Sequence, residues 1–284
     1  MRDLAGKAAF VTGGASGIGL ALGCAFARDG MKVMLADIEA GPLEQAVRAL
    51  AETGASVKGV TCDVSDRAAV ERAAAETIRA FGPVHVICNN AGVGVGGGPV
   101  EEIPPADWDW AIGVNLMGVI HGVAAFLPHI KTHGEGGHIV NTASMAGMAT
   151  GPMMSPYNVT KYGVVSLSEA LAAELQGTAI GVSVLCPGWV DTRIDESGRN
   201  WPTRFGPRRA QTTLARERQA QIAAMLRSGM RTDEVAERVL RAIHDNDLYV
   251  FTHVEMRPAL EERFRRILTA YDKAAAFKRQ EPRP

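Results

Sequence analysis

The sequence predicts an α/β protein in which one parallel sheet is wound in both directions and covered by helices on both faces. Three observations carry this. Short apolar runs alternate with amphipathic helical patterns along most of the chain, and each run stops on Gly, Asp, Asn or Ser. The first stop is a glycine-rich turn, Thr-Gly-Gly-Ala-Ser-Gly-Ile-Gly at 12–19, that leads straight into a helix. Strands that alternate with helices are joined by crossovers, lie parallel and are buried on both faces, so they read as continuous apolar runs.

Residues 8–11 form the first strand and 18–26 the first helix, with the glycine turn between them. That order suits a dinucleotide phosphate. Gly13 permits the tight turn, Gly17 lets backbone approach the pyrophosphate beside Ser16 and Ile18, and Gly19 lets helix and strand pack closely. The helix N-terminus adds unpaired N–H groups and a partial positive charge. A second strand, 32–36, stops at Asp37, about twenty residues beyond the turn, where a carboxylate accepts from both adenosine ribose hydroxyls and repels a 2′-phosphate. No Arg or Lys stands at Ser16 or Ile38 to reverse that preference, so NAD is the cofactor expected. A strand-end Asp also caps turns, and the glycine loop before it decides for the ribose.

Helical patterns at 42–53 and Arg67–Phe81 flank a third strand, Val57–Thr61, which ends in Cys62-Asp63-Val64. The fourth, 84–88, ends in Asn89-Asn90-Ala91-Gly92. Ligands of such sheets lie at the carboxyl ends of the strands, which brings Asp37, Asp63 and Asn90 to one edge. A long, mostly apolar helix is expected over 107–130, carrying Asn115. A buried amide there must find partners, because leaving it unsatisfied costs about 1–3 kcal/mol. The fifth strand, 136–142, ends in Ala143-Ser144, and a helix over 157–175 places Tyr157 and Lys161 on one face. The sixth, 181–186, runs into Pro187-Gly188-Trp189-Val190-Asp191-Thr192. Periodicity then fails over 195–211, the kind of long excursion that serves as a lid or binding loop. Helices over 215–226 and 232–244, a short strand over 248–251 and a basic amphipathic helix over 258–277 complete the chain. With no internal repeat or linker, 1–284 is expected to be a single domain with a substrate lid at about 193–228.

Composition is that of an ordinary globular protein: 284 residues, 46% apolar, 21% charged, net charge -1. Nothing in that balance calls for nucleic acid or an anionic membrane as partner. Cys24, Cys62, Cys88 and Cys186 are far apart and each lies in an apolar run, which favours buried free thiols over a disulfide framework or a metal site. No basic-then-apolar leader precedes Lys7, and no apolar run nears the roughly 20 residues of a membrane span, so a soluble cytoplasmic protein is expected.

The chemistry rests on Tyr157, Lys161 and Ser144. A phenol with a pKa near 10 is a poor base at pH 7, but a neighbouring ammonium and a cationic nicotinamide each favour the phenolate. Such a Tyr exchanges a proton with an alcohol or carbonyl oxygen while hydride moves to or from the cofactor. Ser144 is placed to hold the same oxygen, and Asn115 to organise a water beside Lys161. Met145, Met148, Met153, Met154 and Trp189 are soft or aromatic and suit an adaptable apolar wall, with Met145, Met154 and Trp189 the candidate substrate contacts. Arg193, Arg199, Arg204, Arg208 and Arg209 crowd the lid; they are either solvated charge or a receptor for an anionic substrate group.

Taken together, these residues resemble the short-chain dehydrogenase/reductase family in its compact single-domain branch. The resemblance runs over 7–192 and rests on the 12–19 loop, Asp37, Asp63-Val64, Asn89-Asn90-Ala91-Gly92, Asn115, Ser144, Tyr157-x-x-x-Lys161 and Pro187-Gly188 with Thr192. It implies a catalytic tetrad of Asn115, Ser144, Tyr157 and Lys161, with Lys161 also on the nicotinamide ribose. It further implies Asp63 and Val64 beside the adenine, and Val190 and Thr192 on the carboxamide. A seven-stranded Rossmann-type sheet and a homo-tetramer, or else a dimer, built through two long central helices follow from the same likeness. Asp107-Trp-Asp-Trp, Arg204-Phe-Gly-Pro and Leu248-Tyr-Val look similar to bacterial members that oxidise benzylic alcohols of aryl ethers. The expected reaction is therefore NAD-dependent interconversion of a bulky or aromatic secondary alcohol and its ketone. An enoyl reductase or epimerase of the same fold, or a dinucleotide-binding regulator without turnover, are the alternatives. The Tyr-x-x-x-Lys spacing, the short region after Thr192 and the retention of both Tyr and Lys argue against them.

Overall fold

The computed structural model describes all residues except Arg2, Gly96, 209–212 and 279–284. Seven strands, β1 (Ala8–Thr12), β2 (Lys32–Asp37), β3 (Val57–Thr61), β4 (Val84–Asn89), β5 (Gly137–Thr142), β6 (Ile180–Cys186) and β7 (Tyr249–Phe251), form one sheet in the order β3-β2-β1-β4-β5-β6-β7. Every pairing is parallel. The order reverses between β1 and β4, where crossovers leave for opposite faces and a crevice opens at the strands' carboxyl ends.

Side chains alternate across the sheet and so build two apolar layers. Ala9, Val11, Val33 and Leu35 meet Leu22 and Phe26 of α1 (Gly17–Arg28), Leu43 and Leu50 of α2 (Ala40–Glu52), and Val239 and Ile243 of the later helix Thr232–Asp245. Phe10, Met34, Ile87 and Ile139 point the other way. They meet Val70 of α3 (Arg67–Phe81), Phe126 and Ile130 of the helix Gly118–His133, and Leu171 of the helix Ser155–Glu174. This is the doubly wound core that the apolar runs predict.

The expected single helix over 107–130 is in fact three pieces: α4 (Pro105–Ala111), a π-helical turn over Ile112–Met117, and α5 (Gly118–His133). The wide turn inserts an extra residue and re-aims the side chains it carries, Asn115 among them, while the axis runs on. The combined run Pro105–His133 is 29 residues with a mean hydropathy of 1.7 in its most apolar window, longer than the sequence reading allowed. The run covers the sheet through Val119, Phe126 and Ile130. Cys62, Cys88 and Cys186 are buried as expected, whereas Cys24 is exposed because it falls on the outer side of α1.

The remaining helices are α6 (Ser155–Glu174), α7 (Thr213–Arg227), α8 (Thr232–Asp245) and α9 (Arg257–Lys278). The chain divides into two compact units, Met1–Thr252, which contains the whole sheet, and His253–Pro284, built on α9. Within the second unit α9 carries an Arg257–Glu261 pair of 2.7 Å at helical spacing and exposes Phe264, Leu268 and Tyr271.

The tightest helix-to-strand approach is at Gly122 of α5, where a Cβ would lie 1.9 Å from Oδ1 of the buried Asn89. Gly122→Ala should therefore cost about 1–3 kcal/mol of stability, the usual penalty of overpacking a core, read as a lower urea midpoint at unchanged slope.

Candidate active site

The site begins where β1 and β4 end side by side. The Thr12 hydroxyl donates to Cys88 O (3.3 Å) and accepts from the N–H groups of Asn90 (2.9 Å) and Ala91 (3.0 Å); Asn90 Nδ2 donates back to Thr12 O (3.0 Å). This clasp leaves no room inside the turn. A Cβ on Gly19 would sit 2.1 Å from Gly13 O, and one on Gly13 would sit 3.0 Å from Ala91 Cα. Gly17, with φ of 55°, opens α1, and the position of its absent Cβ is 3.2 Å from Thr192 Cγ2. Ser16 makes no side-chain cap and the first turn holds no acid, which leaves the first N–H groups of α1, at Ile18 and its neighbours, without a carboxylate partner. A phosphate fits that position.

Asp37, buried at the end of β2, accepts from Ala15 N (3.0 Å) through Oδ2 and from Glu39 N (3.0 Å) through Oδ1. Beside it Ile38 is 45% exposed and offers an apolar surface. Asp63 Oδ1 accepts from Ser65 N (2.9 Å) and Oγ (2.7 Å), a turn cap, and Val64 is buried with its carbonyl on His121 Nδ1 (2.9 Å). Both have architectural duties at the same edge.

The four residues of the expected tetrad converge. Asn115 in the π-helical turn accepts from Val93 N (2.7 Å) and donates through Nδ2 to Val93 O (3.0 Å) and Thr160 Oγ1 (3.4 Å). Its amide thus grips the loop after β4 rather than standing open to solvent, and the partners that a buried amide demands are the Val93 backbone and the Thr160 hydroxyl. Lys161, 2% exposed, donates from Nζ to Thr142 O (2.8 Å) and lies 5.6 Å from the centre of the Tyr157 ring. Gly92 stands between the two: from the position its Cβ would take, Asn115 Oδ1 is 3.4 Å away and Lys161 Nζ 3.6 Å. Ser144 stands close enough to the Tyr157 hydroxyl to favour its ionised form, accepts from Ala146 N (3.1 Å) and donates to Pro187 O (3.4 Å). Gly188 N donates to Thr252 Oγ1 (3.1 Å), and Val190 bridges to Met230, so the segment leaving β6 is tied down on both sides.

Burial outweighs charge here. It pushes the Tyr157 phenol up from its usual value, with the nearby Ser144 hydroxyl opposing, and drives the Lys161 ammonium down to about 8. Desolvation penalises both charged forms, a cost that the expected help from the ammonium and the nicotinamide has to offset.

Of the candidate substrate contacts, Met145 is buried with its N–H on Pro187 O (2.9 Å), and Met154 and Trp189 are half-buried, the latter with its carbonyl on Met230 N (2.9 Å). Sequence reasoning missed Arg218 on α7, which donates to Met153 Sδ (3.1 Å) and Pro152 O (2.9 Å). Met153 is held there in left-handed backbone, φ 65°. The lid is partly built of short helical turns, Ile194–Asn200 and Thr203–Phe205. Four of the arginines singled out in it have partners among the described residues. Arg193 pairs with Glu196 (2.8 Å) and Arg199 with Glu39 (2.9 Å). Arg204 lies over Phe205 (4.8 Å), and Arg208 over Trp110 (5.8 Å) and Trp201 (5.5 Å). Arg209 lies outside the described residues.

Comparison with known proteins shows the family. The short chain dehydrogenase family matches residues 7–203. A C alpha-dehydrogenase of Sphingobium sp. (strain NBRC 103272 / SYK-6) is 34% identical over 94% of this chain and 87% of its own length. A 1-deoxy-11-beta-hydroxypentalenate dehydrogenase of Streptomyces avermitilis is also 34% identical, over 90% of this chain and 88% of its own length. The crystal structure of a short chain dehydrogenase/reductase from Burkholderia phymatum in complex with NAD superposes with a TM-score of 0.93 at 39% identity, covering 95% of this chain and 97% of that one. The chain is a member of the short-chain dehydrogenase/reductase family.

Proposed function

We propose that this chain is an NAD-dependent oxidoreductase that interconverts a bulky, ring-containing secondary alcohol and its ketone. The observation that carries the reading is the juxtaposition of Ser144, Tyr157 and Lys161 with a glycine turn that has no room for side chains and with the buried Asp37. The residues fit the cofactor. Gly13, Ser16, Gly17, Ile18 and Gly19 would hold the pyrophosphate, Asp37 the adenosine ribose, and Asn90 to Gly92, Lys161 and 187–192 the nicotinamide end. Bound NAD supplies the hydride acceptor. Tyr157 exchanges a proton with the substrate oxygen at its hydroxyl, Ser144 holds that oxygen, and Lys161 keeps a positive charge behind the phenol. Two named relatives, the C alpha-dehydrogenase and the hydroxypentalenate dehydrogenase, and the NAD held by the Burkholderia protein support it.

The substrate class follows from the apolar surroundings. Val93, one residue beyond Gly92, opens a cluster with Val95, Trp110 and Ala111 against which Trp201 and Phe205 of the lid pack. Trp110 and Trp201 meet edge to face at 5.1 Å. The cluster itself is buried, and Trp201 and Phe205 keep part of their surface open, an apolar face that a ring would cover and a small alcohol would leave wet.

Three outcomes are expected. Calorimetry should give NAD at least about a tenfold advantage over NADP, the equivalent of roughly 1.4 kcal/mol; equal affinities would remove Asp37 from the ribose. Tyr157→Phe should lower turnover by about 10²–10⁴-fold, as loss of a general acid/base does, while NADH still binds; near-normal turnover would take Tyr157 out of the chemistry. The third outcome concerns the buried charge. Lys161 titrates at about 8 when folded and at its usual 10.5 when unfolded, so the unfolded chain holds more protons between those values and the charge costs stability at neutral pH. Lys161→Met should be inactive yet melt at or above the parent at pH 7, and the gap should close as pH rises from 8 toward 10.5. A gap independent of pH would show that the ammonium is not the cause.

A further inference from the structure

Two segments 160 residues apart meet in an ion pair that the proposed chemistry does not use. Arg199 Nε lies 3.0 and 3.1 Å from the two carboxylate oxygens of Glu39, and its Nη2 donates to Oε2 at 2.9 Å. Nη1 donates to Arg193 O (3.2 Å), which fixes the plane of the guanidinium. The two side chains are only 28% and 21% exposed. A forked, partly desolvated pair of this kind is stronger and more directional than an ordinary surface pair. The Arg199 contact holds the Glu39 carboxyl below its usual range, the mark of a pair formed in the folded state.

Its place in the fold gives it a task. Glu39 stands two residues past Asp37 and gives its own N–H to the carboxylate expected to hold the ribose. Arg199 belongs to the short helix Ile194–Asn200. The other side of that helix is pinned to the loop after β4: the buried Ser197 accepts from Gly94 N (3.0 Å), and a Cβ on Gly94 would lie 2.8 Å from Ile194 O. Just upstream, Thr192 rests against Gly17 at the expected pyrophosphate position. The segment therefore runs from the end of β4 to the end of β2 and passes the glycine turn of β1 between them.

We infer that Glu39 and Arg199 form a latch that holds residues 194–200 across the dinucleotide cleft, and that they are positioning residues which set how long the cofactor stays bound. The inference rests on the NAD reading above. A dinucleotide seated between Asp37 and Gly17 leaves only after the strap lifts, and the strap lifts only after the fork opens. Glu39 has a second effect through the same contact: it occupies a guanidinium that the lid brings near the expected ribose position, a group that a 2′-phosphate would otherwise attract.

The test is the NADH dissociation rate, followed by stopped-flow fluorescence in the full chain and in Arg199→Ala, Glu39→Ala and the double variant. Each single change should raise the rate about fivefold or more, and the double change should do no more than either alone, because a pair is lost only once. Raising ionic strength should speed release from the parent and leave Arg199→Ala almost unmoved. Single variants within about twofold of the parent, or a double variant whose effect is the product of the singles, would overturn the latch while the cofactor site stands. A parent that binds no NADH would overturn the cofactor reading and the latch with it.

Discussion

The constraint on which the rest of the structure depends is the clasp between Thr12 and Asn90. Four hydrogen bonds tie the ends of β1 and β4 together at the point where the strand order reverses. Each contributes about 0.5–1.5 kcal/mol net, and an orphaned partner there would cost more. The larger consequence is geometric. With the two strand ends this close, the turn after β1 has no space for a side chain, α1 must start against the sheet, and its N-terminus must face the crevice. Asn90, Ala91 and Gly92 are delivered to the same crevice by the same bonds.

Behind the crevice a second set of buried polar contacts keeps β4, β5 and α6 in register. Asn89 donates to Asn141 (2.9 Å), Asn141 to Ser168 (3.0 Å), and Ser168 to Val164 O (2.7 Å). The residues that follow Asn89 and Asn141 in their strands are Asn90 of the clasp and Thr142, whose carbonyl receives Lys161. The site therefore sits one residue above a polar layer that fixes the height of each strand. Nothing apolar would fix that height as well, since hydrophobic contact is not directional. The buried ammonium is the costly part of this arrangement, and Thr142 O is the hydrogen-bond partner that the structure gives it.

Much of this was legible in the sequence because strand and helix leave periodic traces. β3 and α3 fall at the predicted residues, and Asp37, Asn90, Ser144 and the Tyr157/Lys161 pair lie at the strand ends and helix face that their patterns assigned. What was not legible is what has no period. A π-helical turn keeps the apolar pattern nearly continuous, so 107–130 reads as one helix and the grip of Asn115 on Val93 stays hidden. The Arg199–Glu39 fork, the hold of Arg218 on Met153 and the stacking of Arg208 on two tryptophans are contacts between distant segments. A list of charges does not reveal them. Nor does it show the partners of the lid arginines Arg193, Arg199, Arg204 and Arg208. The burial of Tyr157 is hidden for a related reason: proximity to Lys161 is written in the spacing, but the desolvation that raises the phenol is not.

The central claim is that an alcohol oxidation site with an apolar, aromatic wall lies at the carboxyl edge of this sheet. The direct test is NADH formation from NAD across a series of secondary alcohols from 2-butanol through cyclic to aryl and polycyclic members. The account predicts that kcat/KM rises with apolar substrate size, and that NADP supports little of the same activity. A best substrate as small as 2-butanol, or no NADH formed from any member of the series, would contradict it.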